Sequence, residues 1–249
     1  MDLYHFISHG DMGSTGAGSS SWGWVADDGR EFITIGQEDG TTFAEISSES
    51  KLIVLARLPQ VSLPSDWREI RSYKNYMIIG SEAVDHGIQI FDMTKLLDID
   101  VEASGVVIYD ALDDLTGYTN DLPIGRSHNV VVNEEKDYIV AVGSQPRDDE
   151  CLSGLIFFDV SDPSDPVRLG CAAGDGYVHD VSDEQMLFLK DCRTDSEAPG
   201  SMHCLPWTRQ ALRRKGHLLR LQRGQSYHLR CHRQGQRYQH HLKDFLLWR

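Results

Sequence analysis

The stretch WREIRSYKNYMIIGSEAVDHGIQIFDM, residues 67–93, decides the fold. It divides into a run from Trp67 to Arg71, a turn at Tyr73-Lys74-Asn75, and a second run from Tyr76 that stops at Gly80. A polar loop then leads to a third run, Gly87 to Asp92. Short runs rich in Ile, Tyr and Phe, bounded by Gly, Asn and Asp, are the grammar of antiparallel hairpins.

The same grammar recurs on both sides. Upstream, Ser21–Ala26 is followed by a turn at Asp27-Asp28-Gly29, by Phe32–Gly36 and by Thr42–Ile46. Downstream come Ser127–Val132, a turn at Asn133–Lys136, Tyr138–Gly143 and Gly154–Val160. Each unit predicts a strand, a tight turn, a strand ending in Gly, a polar loop, a strand ending near an acid, a turn and a last strand. Asp162-Pro163-Ser164-Asp165-Pro166 closes the third unit, because its prolines cannot donate to a ladder. A four-stranded repeat of roughly 45–60 residues matches a β-propeller blade, with a β-sandwich as the competing reading. The expected fold is therefore all-β, a propeller of about three blades and the start of a fourth. That fourth unit opens at Gly176-Tyr177-Val178-His179-Asp180, which matches Arg126-Ser127-His128-Asn129.

Beyond Asp180 the chain changes character. From His203 to Arg249 eleven residues are Arg or Lys and the one acid is Asp244, although the whole chain carries a net charge of -14. Val181-Ser182 admits the codons GTG-AGT, a splice-donor consensus, and a shifted frame across Met202–Trp248 can spell the missing remainder of a fourth blade. The expected organisation is a partial propeller over 1–180 and a non-native tail over 181–249, from a retained intron and then an exon out of frame. The tail is expected to be disordered. A basic arm for nucleic acid is the competing reading, but it lacks aromatic interleaving. The acidic body repels nucleic acid and anionic membranes. No apolar run approaches the roughly 20 residues of a membrane-spanning helix, and residues 1–20 show no signal-peptide pattern.

The segments 67–93, Asp121–Asn133 and Pro146–Asp180 resemble the choice-of-anchor B, LVIVD-repeat proteins. The resemblance implies a secreted or surface-exposed β-propeller, further blades after Asp180 and a leader before Met1.

Three kinds of site are in view. His128-Asn129 and His179-Asp180 hold the same place in successive units, at the start of the strand expected to line the axial channel. Imidazole with carboxylate suits a divalent metal ion, so His128, His179 and Asp180 are the candidate ligands. The plainer reading has each His hydrogen-bonded to a neighbouring blade. Cys151 and Cys171 flank a strand-turn-strand segment, which suits a local disulfide in an oxidising compartment; two free core thiols are the alternative. The acidic groups Asp110, Asp113, Asp114 and Asp148-Asp149-Glu150 lack EF-hand spacing and read as solvated loops. Gly10–Gly18 lacks the Lys of a phosphate-binding loop and reads as a flexible loop. Trp22, Trp24 and Trp67 read as packing residues of the inner strands.

The expected role is a non-catalytic extracellular or cell-surface scaffold for binding or adhesion, with a protein or glycan as partner and no defined oligomer. A metal-dependent hydrolase using the channel His and Asp residues is the alternative.

Overall fold

The computed structural model describes residues 5–174 and 176–181. It also describes the backbone of four short strands further on, Cys192–Thr194 paired with Met202–Cys204 and His232–Arg233 paired with Gln236–Arg237. Apart from Val181 and those strands, the expectation of a disordered, out-of-frame tail falls outside the described residues.

Residues 5–181, as far as they are described, are all-β, built from three sheets whose strands pair antiparallel except for one short parallel pair. Strands β1 (Gly18–Val25), β2 (Glu31–Gln37), β3 (Gly40–Ile46) and β4 (Leu52–Pro59) form the first in simple up-and-down order. The second holds β5 (Arg68–Tyr73), β6 (Tyr76–Ser81), β7 (Ile88–Asp92) and β9 (Gly117–Thr119), and the third holds β10 (Asn129–Asn133), β11 (Tyr138–Val142), β12 (Leu155–Asp159) and β13 (Val167–Ala172). The first strands stand side by side, β1 against β5 and β5 against β10.

The sequence of the second sheet explains that arrangement. A strand buried on both faces needs apolar residues without alternation. Met77 and Ile79 join a core with Trp24, Phe32 and Phe43 of the first sheet, while Ile78 joins Ile139, Ile156 and Phe158 of the third. Phe43 stacks on Phe91 with ring centroids 4.6 Å apart. The lower turns are also tied together, since the Tyr73 hydroxyl donates to Asp137 Oδ1 at 2.6 Å and Lys74 pairs with the same carboxylate.

The glycine that ends each second strand has a steric cause. A Cβ on Gly36 would lie 3.2 Å from Ile70 Cδ1, and one on Gly80 would lie 2.6 Å from Val130 Cγ2 and 2.7 Å from Ser127 Oγ. At both positions the next sheet's first strand approaches closely: at Gly36 a methyl would need Ile70 to give by a few tenths of an ångström, and at Gly80 it would collide. Gly80→Ala is therefore expected to wedge the second and third sheets apart and to lower stability by about 1–3 kcal/mol, read as a fall in the urea midpoint. An unchanged midpoint would refute the close-packing account.

The repeat is broken where the sequence shows no turn between unit two and its last strand. After β7 the chain makes a 3-10 turn (Met93–Leu96), the short helix α1 (Val101–Ser104) and β8 (Val107–Ile108) before returning to β9. Asp92 and Asp100 cap the two helical turns with their carboxylates. Strand β8 adds to the first sheet in parallel with β4, so the insertion ties the outer edges of two sheets. Gly10–Gly18 also differs from the expected flexible loop. Ser14 Oγ and the Thr15 amide donate to Asp39, and the buried Arg57 donates to both Asp39 and the Met12 carbonyl. A buried guanidinium needs acceptors, and this segment supplies one of them. Among the described residues no helix is long and apolar enough to cross a membrane.

Candidate functional site

The starts of the first strands meet at one end of the three sheets. Glu69, at the start of β5, has Ser20 of β1, Arg71, His128 and Asp180 in its electrostatic surroundings. Arg71 Nη1 pairs with its buried Oε1. Burial is the larger effect and holds the Glu69 carboxyl above its usual range; Arg71 opposes the shift and Asp180 adds to it.

Glu82 follows Gly80 and Ser81 in the loop after β6. Its carboxylate accepts from Arg126 through one oxygen and from His128 Nδ1 through the other. Arg126 and His128 lie immediately before β10, so this carboxylate clamps the third sheet onto the second. The clamp also fixes the His128 ring. Gly143, at φ +69°, lies so close to His128 that a Cβ there would collide with the His128 Cβ.

Around that fixed imidazole the rings form a row. Trp67 lies 5.8 Å from His128, His128 lies 4.0 Å from His179, and His179 lies 6.2 Å from Tyr177, all between ring centroids. The Arg147 guanidinium caps the row at 3.7 Å from the Tyr177 ring. Segment 176–181 is held beside the third sheet by hydrogen bonds from Gly143 N to Val178 O and from Val178 N to Ser153 O. Tyr177 and His179, two residues apart, present their rings to the same side.

The sequence-expected ligands His128 and His179 thus stand together. Asp180 is near Glu69, and its Oδ1 accepts from the Val181 amide. Among the described residues no three His, Cys, Asp or Glu side chains gather to hold a metal ion. Trp22 and Trp24 pack in the core, with the Trp22 indole N–H donating to Ser72 Oγ at 2.9 Å. Trp67 does not pack in the core: it is 55% exposed and lies against His128. Inner-strand position does not bury a residue placed just before the strand begins.

Cys151 and Cys171 are joined as a disulfide, with Cα atoms 5.6 Å apart. It ties the loop before β12 to β13. The acidic loops close their own turns: Asp110 accepts from the Leu112 and Asp113 amides, Asp149 accepts from the Cys151 amide, and Glu150 pairs with Arg168.

Sequence reasoning missed Glu82, Arg126, Trp67, Tyr177 and Arg147 as site residues. Arg126 stood directly before the quoted Ser127-His128 and was visible. Glu82 was not, because its partners are 44 and 46 residues away and no local spacing reveals them.

No family model matches the chain, and no curated protein matches it. A similar solved structure is that of the periplasmic gluconolactonase PpgL of Pseudomonas aeruginosa, at 13% identity and a TM-score of 0.39. The match covers 83% of this chain and 61% of that one, so the chain spans less than two thirds of that protein's length. A likeness this remote assigns neither residues nor activity.

Proposed function

We propose that the chain is part of a secreted or surface-exposed β-propeller of LVIVD-repeat kind, acting as a non-catalytic binding scaffold. The three up-and-down sheets, set side by side through their first strands, are the support for the blade reading. The disulfide suits an oxidising compartment.

The observation that carries the binding role is the row of rings from Trp67 to Tyr177. A ring row held at the strand ends by the Glu82 clamp and by the Gly143–Val178 hydrogen bond is arranged before any ligand arrives, and preorganisation is what raises affinity. Glu82 is engaged by Arg126 and His128 together, which holds the imidazole in place as a wall of the seat.

The test is a binding screen of the purified protein on glycan and extracellular-protein arrays, alongside Trp67→Ala/His179→Ala. Both residues are exposed, so the double variant keeps the fold. Ligands captured by the wild type are expected to be lost by the variant. Retention by the variant moves the seat elsewhere and sinks this reading. Stoichiometric zinc or manganese in the purified protein, lost in His128→Ala/His179→Ala, would favour the metal-dependent hydrolase instead.

A further inference from the structure

We infer that the end of the sheets bearing Trp67 docks a cationic polypeptide segment that carries large apolar side chains. The inference deepens the binding reading above and rests on that end being the seat.

Four exposed aliphatic side chains stand on the loops of this end: Leu63 between β4 and β5, Val84 between β6 and β7, Ile124 between β9 and β10, and Leu152 between β11 and β12. Hydrogen bonds join those loops to one another and to Trp67. The Trp67 amide donates to Ser65 Oγ, the Glu82 amide to the Trp67 carbonyl, and the Asp85 amide to the Ile124 carbonyl. Arg168 bridges Asp121 and Glu150, which links the loop of Leu152 to that of Ile124. Exposed aliphatics scattered singly need no explanation, but a set gathered on linked loops marks an interaction surface.

Two of the four are held out at a cost. Ile124 and Leu152 have φ of +45° and +49°, in the left-handed region. Glycine adopts that conformation freely, whereas a β-branched residue there is an outlier. Glycine would make both turns with less strain, so the side chains themselves are what these positions keep. Strain retained at an exposed loop points to recognition.

Charge selects the occupant. Loops 60–67, 82–87, 120–128 and 143–154 and segment 176–181 together hold eight Asp and Glu against two Arg. Arg126 is engaged by Glu82, and Arg168, reaching in from β13, is engaged by Asp121 and Glu150. Arg147 lies on the Tyr177 ring. Asp66, Asp85 and Asp148 are exposed, and among the described residues no cation pairs with them. The end is therefore acidic even with Arg147 counted against it. Apolar loop tips among free carboxylates complement apolar side chains flanked by Lys or Arg. The same charge repels nucleic acid and anionic lipid surfaces.

The experiment pans a random dodecapeptide library on the purified protein and titrates the enriched peptides by fluorescence anisotropy. Those peptides are expected to carry net positive charge and at least one large apolar residue, and to bind more weakly as salt is added. Ile124→Gly and Leu152→Gly, in turns that suit glycine, should leave the urea midpoint nearly unchanged yet weaken binding by about three- to tenfold. Leu63→Ser, at a residue 68% exposed, should do the same with no demand on folding. Asp66→Asn/Asp85→Asn/Asp148→Asn should weaken binding and flatten its salt dependence. No enrichment, or enriched peptides that are acidic or lack apolar residues, overturns the partner class. Basic peptides lost by Trp67→Ala/His179→Ala but bound in full by the loop and Asn variants sink this inference and leave the ring row as the seat. Peptides that none of these variants loses overturn both.

Discussion

Removing the disulfide is expected to lower stability by about 3 kcal/mol, because the bond closes a loop of 20 residues in the unfolded chain. That is a large share of the 5–15 kcal/mol typical of a folded domain. Its location makes the loss local as well as global. Strand β13 is an edge strand, joined to the sheet through β12 alone, and Val167 on it is half-exposed. The bond anchors that edge to the buried Cys151, whose sulfur also accepts from Arg168 at 2.9 Å. Cys151→Ala/Cys171→Ala is the cleaner comparison, since a single substitution leaves a buried thiol. Urea unfolding should show the wild type falling to the level of the double variant once dithiothreitol is added, with the double variant insensitive to it. Amide exchange should quicken first along β13. A wild type indifferent to reductant would mean that the bond adds nothing to folding.

The strands were legible because each carries its own instructions. In the second unit, the Tyr73-Lys74-Asn75 turn and the Gly80 stop mark β5 and β6 almost to the residue. The unbroken run Met77-Ile78-Ile79 also signals burial on both faces, and the structure places those faces against two different sheets. The insertion between β7 and β9 was illegible for the opposite reason. Its helix has four residues and its strand two, too few for any periodicity to register, and β8 finds its partner in another sheet. The site divides in the same way. His128 and His179 could be paired because they recur at one place in the repeat. The ring row could not, since Trp67, Tyr177 and Arg147 lie outside the strands on three separate segments that only packing brings together. Buried charge was the hardest part to read. Arg68 lies within the run Trp67–Arg71 and nothing local marks it as buried, yet it is 2% exposed and spans two sheets, with Nε donating to the Gln37 carbonyl.

That arginine governs the second large effect, a loss of stability in mild acid. Arg68 Nη1 lies 2.7 Å from Nε2 of His86, which is fully buried. A guanidinium only donates, so Nε2 must accept and the ring proton sits on Nδ1, where it reaches the Gly87 carbonyl at 3.0 Å. Protonating His86 would set two cations against each other in the interior. Burial, and then the Arg68 charge, hold its pKa down at about 3, against an unfolded value near 6.5. A depressed imidazole of this kind contributes stability that is fully present above pH 6.5. Below that the unfolded chain binds the extra proton, and stability falls by about 1.4 kcal/mol per pH unit until the folded pKa is reached. His86→Gln offers Arg68 an amide oxygen but no titrating group, so from pH 6.5 towards 4 its urea midpoint should lose none of what His86 costs the wild type, and the gap between the two should widen steadily as pH falls. Below that a separate loss remains in both proteins. Against the cost of its own burial, Asp39 is held at about 2 by hydrogen bonds from Ser14, the Thr15 amide and Arg57. Its contribution is lost only as pH falls from 3.8 towards 2. Parallel curves for wild type and His86→Gln through the upper window would show that the buried pair is not what acid attacks.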